Sequence, residues 1–203
     1  MKGCRPLTEA EVRVVLQSFG GRYARRDRAL FLLGVKSGFR ISELLALQVG
    51  DVWQGQRVVE RVTVRRRHMK NKAEGRTILL HPEARAALAA WLGELRAAGP
   101  CSGTTYVFRS RKGANRPISR RHALRVLREV YDANELTGPL GTHAMRKTFA
   151  NHVYQQLCRR RAAGEALDPF RMTSKALGHR SITSTDGYLS FLEADIDAAI
   201  LAG

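Results

Sequence analysis

Two imidazoles, a guanidinium and a phenol are spaced along the last third of the chain: His143 and Arg146 in His-Ala-Met-Arg, His179 in Leu-Gly-His-Arg, and Tyr188 nine positions after His179. Far upstream, Ser-Gly-Phe-Arg-Ile-Ser-Glu adds Arg40 and Glu43. Such a set could attack a phosphodiester without a metal: a phenolate as nucleophile, imidazoles to move protons, and guanidinium forks on the phosphate oxygens. Each residue alone also has an ordinary explanation. Positions i and i+3 share a helix face for many reasons, and a lone tyrosine is most often a buried aromatic. Only about one free phenol in a thousand is ionised at pH 7, so a nucleophilic Tyr188 needs cationic company. Arg40, Arg146 and His179 would supply it. Arg40 sits between Gly38 and the apolar run Ile41, Leu44, Leu45 and Leu47, at a helix N-terminus that itself favours an anion. Glu43 either holds Arg40 in place or is an ordinary first-turn carboxylate.

These residues need a scaffold, and the hydrophobic pattern supplies one. Leu7 to Glu11 reads as a helix start, with Thr8 as N-cap, Glu11 at N3 and the stripe Val12, Val15, Leu16 and Phe19 running on to Gly20-Gly21. A second helix spans Arg25 to Lys36, turns Leu30, Phe31 and Leu33 to the core, and stops at Ser37-Gly38. A short third helix runs from Ser42 through Leu47. Val58, Val59, Val62, Thr63 and Val64, then Thr77 to Leu80 beyond a polar turn at Lys72 to Gly75, favour strand, which predicts one small antiparallel sheet over about 52–80. Pro82 opens a helix over Glu83 to Ala98 that Gly99-Pro100 ends. Thr104 to Phe108 reads as a short extended piece. Ser119 to Glu135 and Thr142 to Arg161 are further helices, the second carrying His143 and Arg146, and Asp168-Pro169 starts another that closes at Gly178. Glu193 to Leu201 is a small amphipathic helix with Ile196, Ile200 and Leu201 on one side. No linker divides the chain, so one mainly α domain with a small antiparallel β-sheet, of the α+β class, is expected over 1–203.

The charge balance narrows the partner. The 203 residues carry 35 Lys and Arg against 18 Asp and Glu, a formal net charge of +17, more than solubility needs. Nucleic acid is the first candidate for a polyanionic partner, and no membrane is expected, because no stretch approaches the ~20 apolar residues of a span. The N-terminus lacks the apolar run of a secretion signal, which predicts a cytoplasmic location. Cys4, Cys101 and Cys158 are scattered and odd in number, so neither a disulfide framework nor a zinc site is expected. Without a His-Glu-x-x-His pair or a Gly-rich phosphate loop, no metal or cofactor is expected.

Three segments together resemble the tyrosine recombinase, or phage-type integrase, family. Ser-Gly-Phe-Arg-Ile-Ser-Glu-Leu-Leu-Ala-Leu is similar to its first arginine box, Gly-Thr-His-Ala-Met-Arg-Lys-Thr-Phe-Ala to its His-x-x-Arg box, and Leu-Gly-His-Arg-Ser-Ile-Thr-Ser-Thr-Asp-Gly-Tyr to its terminal box. The boxes stand in the family's order, the interval from His179 to Tyr188 is the family's own, and the likeness runs from Leu7 to Leu192. Met69 to Ile78 resembles the hairpin that carries the family's lysine. Lys70 fits that pattern better and Lys72 is the alternative. Two features depart from the pattern: the interval from His143 to His179 is long, with Cys158 to Ala166 resembling an insertion, and a single catalytic domain without a separate N-terminal core-binding domain is expected, since the boxes' region starts almost at residue 1. The fimbrial-switch recombinases resemble this single-domain arrangement.

The resemblance implies the tyrosine recombinase catalytic-domain fold and a site-specific recombinase of phage or mobile-element type that cuts and rejoins double-stranded DNA through a 3′-phosphotyrosyl link. In that scheme Tyr188 attacks, Arg40 and Arg146 hold the non-bridging oxygens, His143 is the general base, Lys70 protonates the leaving 5′-oxygen, and His179 hydrogen-bonds the phosphate. Arg65, Arg66, Arg67, Lys72, Arg111, Lys112, Arg120 and Arg121 are the expected DNA contacts. Assembly as a monomer in solution and a tetramer on paired sites follows from the same likeness. The rival readings are relaxation of DNA in the manner of a type IB topoisomerase and a non-catalytic DNA-binding accessory protein.

Overall fold

A fourteen-residue helix with apolar residues on every side cannot stay at a surface, and the stretch Ala24–Ser37 does not. In the computed structural model, which describes residues 3–64, 76–178, 185, 189 and 201, it forms helix α2, with Ala29, Leu30, Phe31, Leu32, Leu33 and Val35 all at most 4% exposed. The chain forms two compact units, residues 1–149 and 150–203.

In the first unit, α1 (Glu9–Ser18) is opened by the expected capping box: the Thr8 hydroxyl accepts from Glu11 N at 3.1 Å and the Glu11 carboxylate accepts from Thr8 N at 2.8 Å. Such a cap contributes about 1 kcal/mol. After α2 come α3 (Ile41–Ala46), α4 (Val49–Val52), the strands β1 (Trp53–Gln54), β2 (Arg57–Val58), β3 (Arg61–Val64) and β4 (Arg76–Leu79), and the helices α5 (Pro82–Ala97) and α6 (Arg120–Ala133). Helix α7 (Thr142–Ala162) begins in this unit and ends in the next. Ala84, Leu88, Trp91, Leu92 and Leu95 of α5, Leu44 and Leu45 of α3, Ala123, Leu127 and Tyr131 of α6, and Ala144 and Met145 of α7 join α2 in one core.

The single sheet expected over 52–80 is, among the described residues, two separate two-stranded ribbons, β1–β2 and β3–β4, both antiparallel. The reason is a tight turn at Gly55-Gln56, where both residues have positive φ (52° and 64°) and close β1 on β2 as a hairpin of its own. Among the described residues, Thr104 to Phe108 joins no named strand and pairs through an isolated bridge between Gln48 and Tyr106. It is held by Val49 N to Thr105 O, Val107 N to Leu47 O, and Trp91 Nε1 to Val107 O at 2.7 Å.

In the second unit α7 continues through Ala162, so the first half of the Cys158–Ala166 stretch is helix. Arg160 pairs with Glu165 across the turn that follows. The helix α8 (Pro169–Leu177) starts as its sequence indicated: Asp168 Oδ1 accepts from Arg171 N at 3.0 Å, Pro169 occupies the first turn, and Gly178 ends it at φ 66°. Arg65, Arg66, Arg67, Lys70, Lys72, His179 and Tyr188 lie outside the described residues, as do the Lys72–Gly75 turn and all of the Glu193–Leu201 segment except Leu201.

Candidate active site

Helix α2 ends because Gly38 turns left-handed (φ 63°) and its N–H bonds back to the Gly34 carbonyl at 3.2 Å. Two residues later Arg40, in extended conformation, is the N-cap of α3. The Glu43 carboxylate accepts from Arg40 N at 2.7 Å and from Arg40 Nη1 at 2.9 Å. One buried carboxylate, 1% exposed, thus fixes both the backbone and the guanidinium of Arg40, whose side chain stays 29% exposed. Of the two readings open for Glu43, the geometry selects the residue that holds Arg40.

The first turns of α7 bring the other two residues of this unit. Arg146 is 1% exposed, and its Nη1 donates to the carbonyl of Gly38. His143, one turn earlier, stands at the surface. Its pKa is pushed below the ordinary histidine value, first by partial desolvation and then by the positive charges of Arg146, Arg40 and Lys147. Both arginines therefore act on the same imidazole, which is neutral at pH 7 and able to accept a proton.

Other contacts hold these elements in register. Arg5 N donates to the Pro139 carbonyl at 2.9 Å, Arg5 Nε to the Thr137 carbonyl at 2.8 Å, and Leu7 N to Thr148 Oγ1 at 2.8 Å. The N-terminal segment is thereby fastened to the loop that leads into α7. At the N-terminus of α6, Arg26 and Arg125 bracket the His122 ring at 3.2 and 3.1 Å, and Arg26, only 3% exposed, pairs with Asp27 and lies 4.4 Å over the Tyr23 ring. Burial first, then those two arginines, lower the His122 pKa. Sequence reading did not single out this cluster, because its members come from two distant segments. Gly34 was missed too, although a Gly-x-x-x-Gly pair ending at Gly38 was there to be seen.

Arg111 and Lys112, on the loop before α6, and Arg120 and Arg121, at its start, are all exposed. Arg120 lines an open groove of about 330 Å³ with Ser119, Pro117, Ile118, Tyr106 and the Ser42–Ala46 face of α3. Among the described residues no cluster of His, Cys, Asp or Glu could hold a metal ion, and no helix is long and apolar enough to cross a membrane.

The model of the phage integrase family matches residues 6–194. The probable integrase/recombinase YoeC of Bacillus subtilis is 33% identical over 132 residues, 65% of each protein. The tyrosine recombinase XerC of Pseudomonas aeruginosa is 34% identical over 81% of this chain and 47% of its own. The chain thus spans about half to two thirds of the length of these relatives. Among solved structures, the XerH site-specific recombinase bound to its palindromic difH substrate superposes with a TM-score of 0.73 at 21% identity, covering 96% of this chain and 51% of that one, a likeness of fold.

Proposed function

The chain belongs to the phage integrase family of tyrosine recombinases, and from that premise we propose that residues 1–203 work as one catalytic domain that cuts and rejoins DNA at specific sites in the cytoplasm. The observation that carries this reading is the pairing of two fixed arginines, Arg40 on Glu43 and Arg146 on Gly38, with a neutral His143 that feels both charges. Tyr188 attacks the scissile phosphate as His143 takes its proton. A phosphorus–oxygen bond forms to the phenol as the bond to the 5′-oxygen breaks, and Lys70 delivers a proton to that oxygen. Arg40 and Arg146 stabilise the charge on the pentacoordinate phosphorus, and His179 hydrogen-bonds the phosphate. The phosphotyrosyl link keeps the phosphodiester energy, so a 5′-hydroxyl from a partner duplex can reverse the step and join new strands without ATP. Incubation with a nicked suicide duplex, in which the released strand diffuses away, tests the reading by trapping the adduct. A protein that binds the duplex and traps nothing would be the non-catalytic accessory protein. One that traps, relaxes supercoils and never exchanges strands would be the topoisomerase.

Arg65, Arg66, Arg67 and Lys72, with the exposed Arg111, Lys112, Arg120 and Arg121, contact phosphates in this reading. If these account for ~6 contacts, log affinity falls with log salt at a slope near −5. A slope near zero in a fluorescence-anisotropy titration contradicts the assignment.

Assembly follows the same logic. We infer a monomer in solution that becomes a tetramer on paired sites, with the segment after Tyr188 passed between protomers. The sequence predicts that Ile196, Ile200 and Leu201 share one side of a short amphipathic helix, too short to be stable alone, and Leu201 is 86% exposed. Deleting 193–203 then spares binding to one site and abolishes junction formation on paired sites, as read on native gels. Recombination at the normal rate by the shortened chain would refute the exchange.

A further inference from the structure

We infer that Gly38 is a positioning residue for Arg146: its carbonyl sets the guanidinium, and the bare face it forms with Gly34 lets α7 come close enough for that bond. The inference deepens the assignment of Arg146 to the reacting phosphate and rests on it for its catalytic consequence, though not for its geometry. Gly34 and Gly38 lie one turn apart at the end of α2, on one face. A Cβ at Gly34 would stand 2.6 Å from Met145 Sδ and 3.1 Å from Met145 Cβ, and a Cβ at Gly38 would stand 2.3 Å from Phe149 Cδ1. Met145 and Phe149 are themselves one turn apart on α7 and flank Arg146. The two helices therefore meet where α2 has no side chains, and the arginine between the two contacts reaches the carbonyl of Gly38, the residue that makes the left-handed turn. Gly38 also begins the short passage to Arg40, whose own fork the Glu43 carboxylate holds.

A carbonyl suits this role. It is neutral, so it leaves the arginine's charge intact, and it occupies one of the five N–H donors while fixing the rotation of the plane. Catalysis by a guanidinium depends on that alignment more than on mere proximity.

Gly34→Ala is the informative change, because alanine is the better helix former and any penalty must come through Met145. Three readouts apply to the full chain: the His143 titration by NMR without DNA, single-turnover cleavage of the nicked duplex, and affinity for uncleaved duplex. Gly34→Ala is expected to slow cleavage about tenfold or more with affinity nearly unchanged, and to move the His143 pKa up toward its ordinary value as Arg146 withdraws. Gly34→Ala/Met145→Ala, which removes most of the overlap, should return both readouts to those of Met145→Ala alone. A folded Gly34→Ala protein with an unchanged His143 titration overturns the inference, as does a double variant that stays displaced. The unmodified protein supplies a check independent of every variant: the two Nη nitrogens of Arg146 should give separate NMR signals, and averaged signals would mean that Gly38 does not hold the group. A wild-type protein that cleaves nothing would defeat the recombinase reading while leaving the titration and the Nη signals to decide the geometry.

Discussion

Tyr188→Phe is expected to abolish covalent capture of DNA while leaving affinity for uncleaved duplex nearly intact, since only a hydroxyl is lost. The measurement is a denaturing gel of protein incubated with the nicked suicide duplex, followed by peptide mapping of the adduct in the unmodified chain. An adduct that survives the change places the nucleophile elsewhere, and the structure orders the other candidates. Tyr131 is 1% exposed, and burial drives its phenol far above the ordinary tyrosine value. The Tyr154 phenol is also raised, by burial and then by its neighbour Cys158. Neither is prepared to ionise. That leaves Tyr23, whose ring carries Arg26 on its face, and Tyr106, in the groove beside α3, as the first to test.

The features legible in the sequence were the ones with local causes. Thr8 and Glu11 cap α1 because both partners lie within one turn, Gly38 and Gly178 end their helices because a left-handed residue is needed there, and Asp168-Pro169 opens α8 for the same kind of reason. The Arg40–Glu43 pair was half legible: its spacing was visible, but the burial that makes Glu43 a clamp was not. What long-range packing decides stayed hidden. Alternating valines cannot say whether 52–80 is one sheet or two ribbons, because the break depends on two positive-φ residues at Gly55-Gln56, and glutamine is an uncommon choice there. Likewise His-x-x-Arg shows two residues on one helix face, yet not that Arg146 is driven inside and met by a carbonyl 108 positions upstream. Arg26, a buried arginine in the first turn of α2, is tolerable only because Asp27, Tyr23 and His122 surround it, and His122 lies on another helix.

The arginines carry the second large effect. Arg146→Ala or Arg40→Ala should slow cleavage by about a hundredfold or more, the range for losing one preorganised donor, about 3 kcal/mol in the transition state. The two substitutions differ in what they leave behind. Loss of Arg40 strips a buried Glu43 of its cation and loosens the entry to α3, so Arg40→Lys, which keeps the charge and loses the planar fork, separates alignment from stability. Loss of Arg146 has a second signature in the pH profile. His143 works as a base only when neutral, so the cleavage rate should rise with pH through its depressed pKa and level off above it. Arg146 is the largest of the positive charges that depress that pKa, ahead of Arg40 and Lys147. Removing it shifts the inflection up toward the ordinary value near 6.5, and the deficit of Arg146→Ala should therefore be larger at pH 6 than at pH 8. A near-normal rate would take Arg146 out of the site, and a slow enzyme with an unshifted inflection would separate Arg146 from His143.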